Sequence, residues 1–122
     1  LPPDRTAALL AKGSSGDATA IPAARALTMA TLGGARALGL EQQIGSLVPG
    51  KAADLISVSL SEPENQPLHD VASQLVYAGN RAAVQDVWVA GRRLLCNRQP
   101  MTLDSAEISA HAREWRDRLS TQ

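Results

Sequence analysis

The sequence predicts a mixed helix-and-strand chain, with helices first, a β-sheet in the middle and a helix last. Three observations carry this. Small apolar residues recur at three- and four-residue spacing at Ala23, Ala26, Leu27 and Ala30, the narrow stripe of a helix seated close to its support. Aliphatic residues alternate with serines from Asp54 to Leu60, and β-branched residues crowd positions 84–89. Asp104 followed by Glu107 has the spacing of a helix N-terminal box.

The 122 residues suit one domain or a piece of a larger one, and they are too few for a complete eight-stranded βα barrel, which needs roughly 250. Residue 1 is Leu, which points to a truncated or processed chain. Twelve basic and twelve acidic residues cancel without large charge blocks, so nothing electrostatic argues for nucleic acid or an anionic membrane. No apolar run is long enough to span a bilayer and no signal peptide is visible. Cys96 is the single cysteine and cannot form an internal disulfide, which favours a cytoplasmic setting. There is no Phe, and Tyr77, Trp88 and Trp115 are the aromatics. A core of Ala, Leu and Val is thin for this length, as expected if much of the surface packs on further chain.

In order, residues 1–4 read as an extended lead-in. Asp4 is the expected cap of a helix over residues 5–12, which Gly13 should stop. Pro22 suits the first position of a helix reaching about Thr31. Thr31 is then the expected cap of a second short helix, residues 34–38, closed by Gly39. Gly45 and Pro49-Gly50 are turn signals, and a strand follows from Asp54. Period-two counting puts Ile56, Val58 and Leu60 on one face and leaves Ser57 and Ser59 on a wet one. Residues 71–77 read as a short helical turn followed by a brief strand, which periodicity does not settle. The strand over residues 84–89 is joined by Ala90-Gly91 to residues 92–95, a two-residue hairpin. Asn97-Arg98-Gln99-Pro100 ends that strand. Asp104 then opens a helix through Leu119 with Ile108, Ala112, Trp115 and Leu119 as its apolar stripe. Glu114 and Arg118 form a favourable i,i+4 pair.

Residues that could carry chemistry are few. A hydrolytic metal centre needs three or more converging His or carboxylate ligands, and the only histidines are His69, in a loop after Pro67, and His111, on a helix. Both read as surface residues. Pro49-Gly50-Lys51 lacks the Gly-x-x-x-x-Gly-Lys-Ser/Thr frame of a phosphate loop, because Ala52 and a strand follow. Gly33-Gly34 reads as a close-packing pair, Arg92-Arg93 as a solvated strand end, and Cys96 as a half-buried small hydrophobe.

The stretch Gly45-Ser46-Leu47-Val48-Pro49-Gly50-Lys51-Ala52-Ala53-Asp54-Leu55 resembles the G-S-(I/L)-x-x-G-K-x-A-D-(L/F) segment of the amidohydrolase superfamily. Residues 26–40 resemble that superfamily's A-L-x-M-A-T-x-x-G-A-x-A-L-G segment. Residues 5–12 resemble its R-x-A-A-L-L-x-K helix, and residues 84–94 its V-x-x-V-(W/I)-V-x-G-x-x-(L/V) hairpin. The resemblance runs from about Arg5 to Leu119. Residues 70–77 and 84–92 point to the branch of methylthioadenosine/S-adenosylhomocysteine deaminases and ethylammeline (triazine) chlorohydrolases.

The resemblance implies an α/β parent, a TIM-type βα barrel with a small composite β-sandwich. Residues 1–43 would supply terminal barrel helices, residues 44–100 the C-terminal part of the sandwich, and residues 101–122 a C-terminal helix outside it. The implied reaction is hydrolytic deamination or dechlorination of an aminopurine- or triazine-like ring by a metal-bound hydroxide, with zinc or iron as the metal. The implied partners are a small-molecule substrate, an N-terminal chain and further copies in a homo-oligomer, and neither nucleic acid nor membrane. The superfamily's ligands, a His-x-His pair, two more histidines and an aspartate, match no position here. Asp54 falls at a structural position between turn and strand. The expectation is therefore no catalytic, cofactor-binding or metal-ligating residue in this chain, and an inactive 122-residue fragment. The alternative is a free-standing, non-catalytic α+β interaction module.

Overall fold

The computed structural model describes residues 3–120, with the side chains of Pro3 and Asp4 left aside. The lead-in Leu1-Pro2 and the capping side chain of Asp4 thus lie outside the described residues.

Helix α1 spans Pro3–Ser15 and runs through Gly13 instead of stopping there. The stop is Gly16, at φ +68°, and the loop after it is tied back by Lys12, whose Nζ donates to the Ala18 and Ala20 carbonyls at 2.6 and 2.8 Å. Helix α2 (Ala23–Thr28) does not end before a second helix. It passes through a π turn, Met29–Gly33, directly into α3 (Gly34–Ala37). Thr31 is therefore no cap. Its hydroxyl donates back to the Leu27 carbonyl at 2.7 Å, the usual recourse of a mid-helix threonine. Gly39 closes the helix as expected. With φ at +70°, it lets the Leu40 N–H reach the Ala35 carbonyl (2.8 Å) and its own N–H reach that of Arg36 (3.0 Å), a Schellman motif.

Residues 71–77 are wholly helical. Helix α4 (Val71–Ser73), capped by Asp70 Oδ1 accepting from Ser73 N–H at 2.7 Å, continues as a π turn, Gln74–Ala78. Its Val76 is fully buried and packs with Ala8, Ala23 and Ala26, with Ile21, Leu27, Ala72 and Tyr77 around them. Among the described residues Val76 is the largest side chain so enclosed.

The sheet is antiparallel, in the order β1 (Leu55–Val58), β2 (Val84–Val89), β3 (Arg92–Cys96), β4 (Gln99–Pro100). Ala90 and Gly91, at φ +49° and +77°, make the expected two-residue turn between β2 and β3. The chain does not end its pairing at residues 97–100. Asn97 and Arg98, at φ +46° and +65°, make a second such turn, and β4 pairs with β3. Ile56 and Ser57 take opposite faces of β1 as expected, but their exposure is the reverse of the expected one. Ile56 stands opposite Val87, which stands opposite Leu95, and this apolar face is open, with Ile56 57% exposed. Ser57 stands opposite Asp86 on the face that carries the sheet's polar bonds.

Helix α5 (Ser105–Ser120) begins as expected, with Asp104 Oδ1 accepting from the N–H groups of Ala106 and Glu107 at 2.8 and 3.1 Å. Arg118 lies over the Trp115 ring, 5.4 Å from its centroid, rather than pairing with Glu114, and the helix's ion pair is Arg116–Asp117. Trp115 and Leu119 remain 62% and 69% exposed. No helix of the described residues is long and apolar enough to cross a membrane.

Candidate functional site

The passage from helices to sheet is an irregular segment held by many hydrogen bonds. Gly45 sits at φ +84°, and a Cβ there would fall 2.7 Å from the Ala35 Cβ and 3.1 Å from both the Leu32 Cα and the Thr31 oxygen. The turn therefore needs glycine twice, for its backbone angle and for its approach to the helix. Lys51 folds back over this turn. Its Nζ donates to the Glu41 carbonyl, to the Ser46 hydroxyl at 2.8 Å and to the Ile44 carbonyl at 3.3 Å, while Ala52 N–H donates to the Gln43 carbonyl at 2.8 Å. The ammonium thus satisfies carbonyls that the turn leaves without backbone partners. A phosphate role would need that charge free, and here it is used internally.

Three residues on, Asp54 Oδ1 accepts from Ala90 N–H at 2.6 Å, and the Ala53 carbonyl accepts from Gly91 N–H at 3.1 Å. The carboxylate holds the tip of the β2–β3 hairpin and faces no catalytic partner. Lys51 and Asp54 together fasten one short segment to the turn after α3 on one side and to the β2–β3 hairpin on the other.

Asp86 gathers a second set of bonds that the sequence reading missed. It accepts from the Ser57 hydroxyl at 2.6 Å, from the Arg93 guanidinium at 2.5 Å and from Asn97 N–H at 3.0 Å. The Ser57 hydroxyl, then Arg93, then the Asn97 amide hold its carboxyl down at a pKa of about 2. Arg93 also stacks 5.2 Å from the Trp88 ring centroid, so although it is exposed like Arg92 it is a bonded strand end. The available signal was the Ala90-Gly91 turn, whose register places Arg93 opposite Trp88 and hence diagonal to Asp86.

The other candidates stay apart. His69 and His111 are exposed, Cys96 is half-buried, and Gly33 and Gly34 lie at the junction of the π turn and α3. Among the described residues no three His, Cys, Asp or Glu side chains gather to hold an ion. These residues do not by themselves fit a hydrolytic metal centre.

The succession of an alanine-faced helix, a lysine-fastened glycine turn and an aspartate-anchored hairpin has counterparts in known proteins. The amidohydrolase family profile matches residues 5–94, and the chain belongs to that family. It is 47% identical over 118 residues to a 5-methylthioadenosine/S-adenosylhomocysteine deaminase of Teredinibacter turnerae, covering 97% of this chain and 27% of that protein. It is 54% identical over 106 residues to the protein of the same name from Moorella thermoacetica, covering 87% of this chain and 25% of that protein. Among solved structures it is similar to an adenosine deaminase from Xanthomonas campestris with bound zinc, at 55% identity and a TM-score of 0.91 over 98% of this chain and 27% of that one. It is also similar to the zinc complex of atrazine chlorohydrolase TrzN from Arthrobacter aurescens, at 31% identity and a TM-score of 0.79, covering 88% of this chain and 24% of that one. The chain thus spans about a quarter of the length of the relatives it matches. A free-standing interaction module is not favoured by these likenesses.

Proposed function

We propose that this chain is the C-terminal quarter of a zinc-dependent amidohydrolase that deaminates an aminopurine nucleoside such as methylthioadenosine or S-adenosylhomocysteine. Water replaces the amino group at the ring carbon, giving the oxo-purine and ammonia. The observation that carries this reading is the 55% identity and TM-score of 0.91 to a zinc-bound adenosine deaminase over 98% of the chain. Dechlorination of a triazine ring is the second reading, on the weaker likeness to the chlorohydrolase. Zinc is the ion of both neighbours, and iron is the other metal implied by the family resemblance.

In this reading residues 1–43 complete the wall of a βα barrel, residues 44–100 join strands from further chain in a β-sandwich, and residues 101–122 lie outside it. The surface supports it. A folded 12.8 kDa monomer exposes about 6,300 Å² by the usual size scaling, whereas this chain exposes 8,846 Å². The excess includes the open apolar face around Ile56 and Val89. The metal and its ligands belong to the chain upstream, so residues described here bind no substrate and supply the support for that site. The assembled enzyme is a cytoplasmic homo-oligomer.

The test is turnover by the intact polypeptide that carries this segment. It should bind zinc and release ammonia from methylthioadenosine, S-adenosylhomocysteine or adenosine, while the 122-residue chain alone should do neither. Turnover of chlorotriazines without aminopurines would select the second reading. Activity or stoichiometric zinc in the 122-residue chain alone would overturn the assignment.

A further inference from the structure

The groups gathered around the Lys51 ammonium are all oxygen acceptors. Nζ meets the Glu41 carbonyl, the Ser46 hydroxyl at 2.8 Å and the Ile44 carbonyl at 3.3 Å. They come from one loop, residues 41–46. The backbone bonds of that loop end instead on the carbonyls of Leu40, Gln43 and Ser46. A second observation has the same sign. The carboxylate oxygen Oε2 of Glu41 is enclosed by protein and has no hydrogen-bond partner. An enclosed anionic oxygen without a donor is costly unless positive charge stands near. The loop also leaves the C-terminal end of α3, the negative pole of a helix.

Lysine presents a compact charge with three donors and no acceptor. A side-chain amide or a guanidinium donates in one plane and does not match oxygens set around a point. Free ammonium and potassium do match, because carbonyl and hydroxyl oxygens can replace their water. We propose that residues 41–46 form a monovalent-cation site and that Lys51 is its tethered occupant. The tether makes the passage from helices to sheet independent of dissolved cations, and cutting it back opens the site to them. Potassium takes more ligands than the three oxygens that meet Nζ, so ammonium is the better fit. The inference rests on residues 41–51 alone and not on the reaction assigned above.

The experiment is thermal unfolding of the intact polypeptide and of Lys51→Ala in ammonium, potassium and tetramethylammonium chlorides at equal ionic strength. Tetramethylammonium carries the same charge with no donor and more bulk. In that salt Lys51→Ala should melt below the unaltered protein. In ammonium it should regain about half of the lost melting temperature or more, saturably, with potassium between the two. The unaltered protein should show no such order. Lys51→Met keeps an uncharged stem in the site and should show none either. Adding Ser46→Ala to Lys51→Ala removes one oxygen and should raise the ammonium midpoint roughly fivefold. If Lys51→Ala does not fold in ordinary buffer, its refolding yield in the same salts is read, with the same order expected. The proposal fails if Lys51→Ala behaves alike in all three salts, because Lys51 then acts through its stem. It also fails if Lys51→Met shares the ammonium preference, because the ion then acts elsewhere. Neither ammonia release nor zinc is read, so failure here is separate from failure of the enzyme assignment.

Discussion

Asp54 and Ala90, thirty-six residues apart, are joined by a 2.6 Å hydrogen bond from the amide of a turn to the carboxylate that opens β1. Ala90 sits at φ +49°, so the bond stabilises a turn conformation that alanine adopts reluctantly. Asp54→Ala should cost about 1–2 kcal/mol in urea unfolding, the range for a charge-assisted bond near the surface. Asp54→Ala combined with Ala90→Gly should cost less than Asp54→Ala alone, because glycine relieves the turn. An equal or greater loss would mean that the carboxylate acts elsewhere.

Gly45 and Gly50 both have positive φ, at +84° and +92°, yet their surroundings differ. A Cβ on Gly50 meets nothing within 4 Å, whereas one on Gly45 strikes the Ala35 Cβ at 2.7 Å. Gly50→Ala should therefore cost about 1–2 kcal/mol, from the backbone angle alone. Gly45→Ala should cost a further 1–3 kcal/mol from overpacking against the helix. Equal losses in a paired unfolding comparison would show that the helix yields without cost.

Lys51→Met keeps the aliphatic stem and removes the ammonium from the Glu41 and Ile44 carbonyls and the Ser46 hydroxyl. A loss of about 1.5–3 kcal/mol is expected. Lys51→Arg should not restore it, because a planar guanidinium cannot converge on three acceptors as a tetrahedral ammonium does. Faster hydrogen exchange at Ala52, whose amide closes the same turn, would accompany the loss.

Asp86 predicts an acid limb of stability. Its folded pKa is about 2, below the 3.8 of an unperturbed aspartate, so the unfolded state takes up the proton first. The stabilisation is complete above the unfolded value and drains away as pH falls through the folded one. Asp17 and Asp70 are lowered in the same sense, by bonds from Thr19 and Ser73, so the whole protein should weaken over this window. Comparing melting temperatures with Asp86→Asn isolates the one carboxylate. The two proteins should differ near neutrality and converge below the folded pKa. A gap unchanged down to that pH would refute the assignment.

Much of this fold was legible where one residue type has one cheap use. Gly39 after an alanine-rich helix, Ala90-Gly91 between two β-rich runs, and Asp104 before Ala106 and Glu107 each satisfy local backbone needs, and each appears as read. The family was legible for a related reason, since the glycine, lysine and aspartate of residues 45–54 are demanded by a turn that few other residues can build. The failures involve choices made at a distance. Thr28 and Thr31 bond back to helix carbonyls inside a π-widened helix, which spacing alone does not distinguish from a break. Asn97-Arg98 did not look like a turn pair, because arginine at positive φ is tolerated only once β4 finds β3. Counting put Ser57 on the polar face of β1, where it lies, but could not supply its long-range partner Asp86, beside which it is half-buried. The expectation of no metal ligand rests on the residue types present and is tested by the metal content of the intact polypeptide.

The helical layer meets across methyl groups, those of Ala8, Ala23 and Ala26, with Val76 as the largest fully buried side chain among the described residues. Helices that touch through alanine lie near the lower end of the usual 8–10 Å axial spacing. A longer side chain at position 8 or 26 cannot escape by rotating, because no rotamer of it is as short as a methyl. A bulkier residue there must push the helices apart, so the close seating of the whole helical layer hangs on two methyl groups.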